Sequence, residues 1–233
     1  PLDFSLSDEA KKEFVNNSNW KAEEDKDAVM PTTNAKNGLK LVDMRGLAYD
    51  DAKWDDLLDE LSVSDMVDLI ALGGYQTAAA KSIGKINTTD CDGPASINNN
   101  FTGEGSIGFP CGVMIANSFN EDIAKEFGDN IGQMADEMNV SGWYAPAMNI
   151  HRNAFAGRNF EYYSEDGLLS GKIAAQAVLG AADHGVYAYI KHFAMNSQET
   201  GRWLTSIDWA NEQAIREIYL KPFEIAVKEG HAN

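Results

Sequence analysis

Apolar residues fall at helical spacing in four stretches of the chain and gather into short runs between them. In "DAKWDDLLDELSVSDMVDLIAL", Trp54, Leu57, Leu58 and Leu61 share one helical face, and Ser64 is placed to cap a second short helix. "NEDIAKEFGDNIGQMADEMN" sets Ile123, Phe127, Ile131, Met134 and Met138 along one face. "DGLLSGKIAAQAVLGAADHG" predicts a helix closed by glycine, and "WANEQAIREIYLKPFEIAVKEG" a long helix kinked at Pro222. The runs in "SIGKINTTDCDGP", "SGWYAPAMNI" and "VYAYIKHF" predict strands. Residues 1–50 are charged and polar without such a rhythm, and are expected to form a linker or arm ahead of an ordered domain over 51–233.

Strand and helix alternate, and the loop after each strand carries polar groups. That pattern belongs to a parallel α/β architecture. An open doubly wound sheet would set its site at a topological switch point, whereas a (β/α)8 barrel draws site residues from several strand ends. Here Asp92, Arg158 and the Lys191–His192 pair follow three different strands, which favours the barrel. No glycine-rich nucleotide loop follows the first strand.

The formal charge of −17 argues against nucleic acid as a partner, which requires clustered Lys and Arg. No apolar run reaches the ~20 residues that span a bilayer. The absence of a signal-peptide pattern at Pro1 tilts localisation toward the cytoplasm. Two cysteines, Cys91 and Cys111, are too few for a disulfide scaffold, leaving unpaired buried thiols or a single bridge. The four histidines show no metal-ligand spacing, so neither metal nor cofactor is expected.

The chemistry concentrates in three segments. "TDCDGP" offers Asp90 and Asp92 at a strand end. An Asx turn explains either alone, but the Gly-Pro turn after Asp92 makes it the better ligand for hydroxyls. "NIHRNAFAGRNFEYYSED" offers Arg158 behind Gly157, with Glu161 placed to orient it from behind and Asp166 near the next helix start. His151 and Arg152 are weaker candidates. Lys191 and His192 end a buried strand, where a lysine needs a carboxylate or a wet cavity. They share a pocket only where the strand ends or bulges, since extended neighbours point apart. Glu199 and Arg202 are expected to support them from behind. Asp208, in "SIDW", is expected at or near a helix N-cap.

Taken together, "DGP", "FP", "WYAPAMNIHR", "GRNFEYYSED", "KHFAMNSQE" and "REIYLKPFE" resemble, in order, the motifs of glycoside hydrolase family 3 over roughly residues 50–233. "GLKLVDMRGLAYDDAKWDDLLDEL" resembles the subgroup in which the barrel domain follows an α/β sandwich, making residues 1–40 a connector. The resemblance implies a (β/α)8-type barrel, incomplete in this chain, that another segment or chain closes. It implies retaining hydrolysis of a β-linked glucoside or oligosaccharide, with Asp92, Arg158, Lys191 and His192 gripping the terminal sugar in the −1 subsite. "KHFAMN" departs from the "KHFPGHG" of the family's β-N-acetylglucosaminidases, which favours a glucosidase or xylosidase. Ser96 stands where the family usually has glycine after "DGPA". The nucleophilic aspartate and the general acid are expected beyond Asn233, so this chain alone is expected to be inactive. A non-catalytic sugar-binding scaffold on a degenerate barrel, and an aldolase using Lys191 as a Schiff base, are the competing readings.

Overall fold

A computed structural model describes residues 5, 7–13, 26–29, 33–204 and 206–232. Much of the expected arm at 1–50 lies outside these residues, as does everything expected beyond Asn233. The chain divides into two compact units, Pro1–Thr32 and Thr33–Asn233. In the first, one short helix, α1, covers Asp8–Glu13, with acidic residues in its first turn and lysines in its last, as the helix dipole favours.

The second unit opens with extended chain and a 3-10 turn at Leu41–Met44. Helices α2 (Lys53–Leu58) and α3 (Val63–Ala71) follow. Met44, Leu57, Leu61, Ala80 and Ile83 form a small core under them. The residue that caps α3 is Ser62, whose hydroxyl accepts from the Asp65 N–H, and Ser64 lies inside the helix. Position 62 has the extended backbone that a cap requires.

The main layer is a four-stranded sheet in the order β1 (Gln76–Thr77), β2 (Thr88–Cys91), β3 (Gly142–Trp143) and β4 (Tyr187–Ala188). β1 and β2 run antiparallel, while β2, β3 and β4 are parallel. Cys91 pairs with Trp143, Trp143 pairs with Ala188, and an isolated bridge joins Ala147 to Lys191. Helix α5 (Glu121–Glu137) crosses from β2 to β3, and α6 (Gly167–Ala182) from β3 to β4. Between β2 and α5 lies the short α4 (Gly112–Ala116). This succession of parallel strands with covering helices is the (β/α)8-type plan, left as an open sheet.

Local chemistry sets these boundaries. The Asn120 side chain accepts from the Asp122 N–H at 2.8 Å to start α5. The Asp166 carboxylate accepts from the Leu169 N–H at 2.7 Å to start α6, as expected from sequence. Phe127 and Ile131 turn inward as their spacing predicts, but Ile123 is 44% exposed at the open end of the stripe. Trp143, Met148, Ile173 and Val178 complete the core between sheet and helices. Among the described residues no helix is long and apolar enough to cross a membrane. Cys91 and Cys111 are unpaired, the first buried and the second half-buried, and burial pushes the Cys91 thiol pKa up.

The last helical stretch departs from expectation. It is α7 (Glu212–Ala214), a π-turn at Ile215–Tyr219, and α8 (Lys221–Gly230), with the break at Leu220. Pro222 sits in the first turn of α8, where its missing N–H costs nothing, so it opens a helix instead of kinking one. Asn211 caps α7, accepting from the Ala214 N–H at 2.8 Å, in place of the expected Asp208.

Candidate functional site

Three loops that follow parallel strands meet at one end of the sheet. Asp92 sits directly after β2, in a turn that needs Gly93. Gly93 has φ +98°, and a Cβ there would lie 2.6 Å from the Ser96 hydroxyl and 2.9 Å from its carbonyl. The Trp143 indole donates to the Gly93 carbonyl at 3.0 Å, tying this turn to β3. The Gly93 N–H donates to Asp92 Oδ1 at 2.8 Å, as in an Asx arrangement. The same oxygen accepts from Lys191 Nζ at 2.5 Å, across 99 positions of sequence. Asp92 is therefore a turn residue whose carboxylate also meets Lys191.

Burial works to raise the Asp92 pKa, but Lys191, the Gly93 N–H and the Arg158 charge outweigh it and hold the carboxyl below its usual range. Arg158 is itself held by Glu161 through its Nε, and the Glu161 carboxylate is buried. Glu161 thus stands behind Arg158. Glu199 pairs with Arg202 at 3.5 Å and packs over Gly157. The chain leaves β4 at Ala188, so Lys191 and His192 are not constrained to opposite faces. Lys191 meets Asp92, and His192 Nδ1 lies 2.8 Å from the Tyr162 hydroxyl. His192 also lines a cavity of 280 Å³ with Asn196, Arg202 and Asp208.

Asp90 has a different place. It is 2% exposed and accepts from the hydroxyls of Tyr189 at 3.0 Å and Tyr187 at 3.3 Å. It braces the sheet across β3, with Tyr187 on β4 and Tyr189 just beyond it. Arg152 donates to the Trp209 carbonyl at 2.8 Å, stands 3.9 Å from Asp208 and lies over the Tyr219 ring. Asp208 lies three positions ahead of the Asn211 cap and faces Arg152. His151 Nε2 lies 2.9 Å from the Tyr162 carbonyl. Among the described residues no group of three or more metal-ligating side chains converges.

Burial pushes the His192 pKa down from 6.5 to about 4, with Arg158, Lys191 and Arg202 acting the same way and Asp92 opposing them. Between those two values the unfolded chain binds the proton and the folded one does not. The contribution of His192 to stability is therefore intact above pH 6.5 and lost as the pH falls toward 4. Urea titrations of wild type and His192→Gln across that window are expected to show a shallower acid loss in the variant. Parallel curves would remove His192 from the acid response.

Sequence reading overlooked Tyr162 and Asn196. Tyr162 is one of several aromatics in "NFEYYSED", and it is fully buried with its hydroxyl against His192. The polar "MNSQ" run after a strand was the signal for Asn196.

The fold and this cluster define an incomplete (β/α)8-type barrel with acidic, basic and imidazole groups at the C-terminal ends of its strands. Residues 76–233 match the Glycosyl hydrolase family 3 N terminal domain, and the chain belongs to that family. It is 48% identical over 148 residues to beta-glucosidase A of Butyrivibrio fibrisolvens, covering 63% of this chain and 18% of that protein. It is 37% identical over 188 residues to beta-glucosidase B of Emericella nidulans, covering 78% and 22%. The structure of beta-glucosidase 3B from Thermotoga neapolitana in complex with alpha-D-glucose superposes with a TM-score of 0.66 at 37% identity, over 76% of this chain and 28% of that one. The beta-glucosidase of Kluyveromyces marxianus superposes with a TM-score of 0.71 at 32% identity, over 76% and 22%. The chain thus spans about a fifth of the length of the curated relatives it matches.

Proposed function

We propose that this chain is the first part of the barrel domain of a retaining β-glucosidase that releases a terminal sugar from a β-linked glucoside or oligosaccharide. Asp92, Arg158, Lys191 and His192 grip the sugar in the −1 subsite, with Glu161, Glu199 and Arg202 orienting them. The observation that carries this reading is the ion pair of Asp92 and Lys191 beside His192 and Arg158, at the ends of β2 and β4. A carboxylate, an ammonium and a neutral imidazole side by side offer acceptors and donors to adjacent hydroxyls of one ring.

Retaining hydrolysis needs two carboxyl groups about 5–5.5 Å apart, one as nucleophile and one as acid/base. In this reading both come from polypeptide outside these 233 residues, and that polypeptide closes the barrel. Residues 1–40 serve as the connector from a preceding α/β sandwich domain. The relatives named above, several times longer than this chain, support the division.

A chromogenic aryl β-glucoside tests the reading. Turnover is expected from the full-length polypeptide and none from residues 1–233 alone. A full-length protein that binds glucose without turnover would return the chain to the scaffold reading. Activity confined to a different glycoside would move the substrate assignment.

A further inference from the structure

A neutral imidazole carries its proton on one of two nitrogens, and the neighbours of His192 determine which. Glu199, paired with Arg202, is a carboxylate, and its Oε1 lies 3.3 Å from Asn196 Nδ2. A carboxylate only accepts, which fixes the orientation of the Asn196 amide. The same NH2 group stands 2.8 Å from the Tyr162 hydroxyl oxygen, and it can only donate. Tyr162 therefore accepts from Asn196 and has its single O–H to give. His192 Nδ1, 2.8 Å away, is the acceptor in reach of that buried O–H, and a proton on Nδ1 would leave the O–H without one. The ring proton is left on Nε2.

The frame around this chain of donors is fixed. Tyr162 is fully buried. Asn149 Oδ1 accepts from the Asn196 N–H at 2.8 Å, and Asn149 Nδ2 donates to the Asn196 carbonyl at 3.2 Å. Because burial and the nearby cations keep the ring neutral at ordinary pH, its tautomer decides what it offers a ligand.

We propose that Glu199, Asn196 and Tyr162 pass hydrogen-bond direction to His192 and hold it as the Nε2–H tautomer, so that the ring donates to an oxygen of the ligand in the adjoining cavity. Tyr162 and Asn196 are positioning residues. That the ligand oxygen is a sugar hydroxyl rests on the glycosidase reading; the tautomer does not.

The test is long-range 1H–15N spectroscopy of the 15N-histidine-labelled full-length polypeptide, with His192→Gln identifying the signals. Wild type is expected to show an unprotonated Nδ1 and a protonated Nε2. In Asn196→Asp the new oxygen accepts from Tyr162, whose own oxygen then accepts from the ring, so the tautomer is expected to switch to Nδ1–H. Tyr162→Phe is expected to lose the tautomer preference and to lower kcat/KM for an aryl β-glucoside on the order of tenfold, the worth of one such hydrogen bond. A wild-type ring protonated on Nδ1 overturns the proposal, as does an Asn196→Asp spectrum identical to wild type. Undiminished kcat/KM in Tyr162→Phe overturns the donor role of Nε2. If a variant does not fold, the wild-type spectrum alone decides. The predicted spectra in a protein that hydrolyses no β-glucoside would sink the glycosidase reading and leave the tautomer assignment standing.

Discussion

On the proposed function, Asp92→Ala in the full-length polypeptide is expected to cut kcat/KM for an aryl β-glucoside by roughly a hundred- to a thousandfold, about 3–4 kcal/mol of transition-state binding. Two losses combine. In the proposed role, charge-assisted hydrogen bonds from sugar hydroxyls to the carboxylate vanish. Lys191, with only 12% of its side chain exposed, is also left without its partner, and a nearly buried ammonium is costly when unpaired. Asp92→Asn separates the two. It keeps an acceptor oxygen for hydroxyls but gives Lys191 no counter-charge, and is expected to fall between alanine and wild type. The fold should survive both changes, because the backbone bridge between Asp92 and Asn98 needs no side chain. Far-UV circular dichroism checks that, and steady-state kinetics reads the rest. Wild-type activity in Asp92→Ala would take Asp92 out of the site.

Gly180→Ala is expected to cost about 3 kcal/mol of folding free energy, although alanine is the better helix former. In α6, a Cβ at this position would fall on the Lys125 carbonyl oxygen, 2.5 Å from the Asp129 nitrogen and 2.8 Å from the Gly128 carbonyl carbon. All three atoms are backbone of α5, so no side chain can rotate away. The two helices must separate, and every contact between them loosens. Gly73→Ala is the control. Its Cβ would meet nothing closer than 3.8 Å, and its effect is expected within about 0.5 kcal/mol. Urea denaturation of the pair measures the difference. Equal midpoints would show that the α5–α6 contact is looser than its geometry implies.

The regular parts of the fold were legible because their signals are repetitive. Phe127 and Ile131 had to share a face of α5, and Asp166 had to precede α6, whatever the tertiary context. The end of β2 was legible as an apolar run that stops at Asp92, whereas the run up to Lys191 overshot β4, which ends at Ala188. Cap identities were less so. Ser62 and Ser64 are the same residue two positions apart, and Asn211 stands close to Asp208. Which one caps depends on backbone angle, and Asp208 faces a distant partner, Arg152. Pro222 was read as a fault within a helix because sequence does not show that Leu220 had already ended the preceding one. At the site, charged residues announce themselves. Tyr162 and Asn196 do not, because their roles consist of donor and acceptor directions that exist only once three loops meet.

The Asp92–Lys191 contact has a thermodynamic corollary. It closes a loop of 99 positions, so a molecule bridging both groups must favour the closed, fully registered sheet over any partly opened one. Such a molecule acts as a removable cross-link on the middle of the chain. Its affinity is then measurable as a rise in melting temperature, even for variants that have lost all turnover.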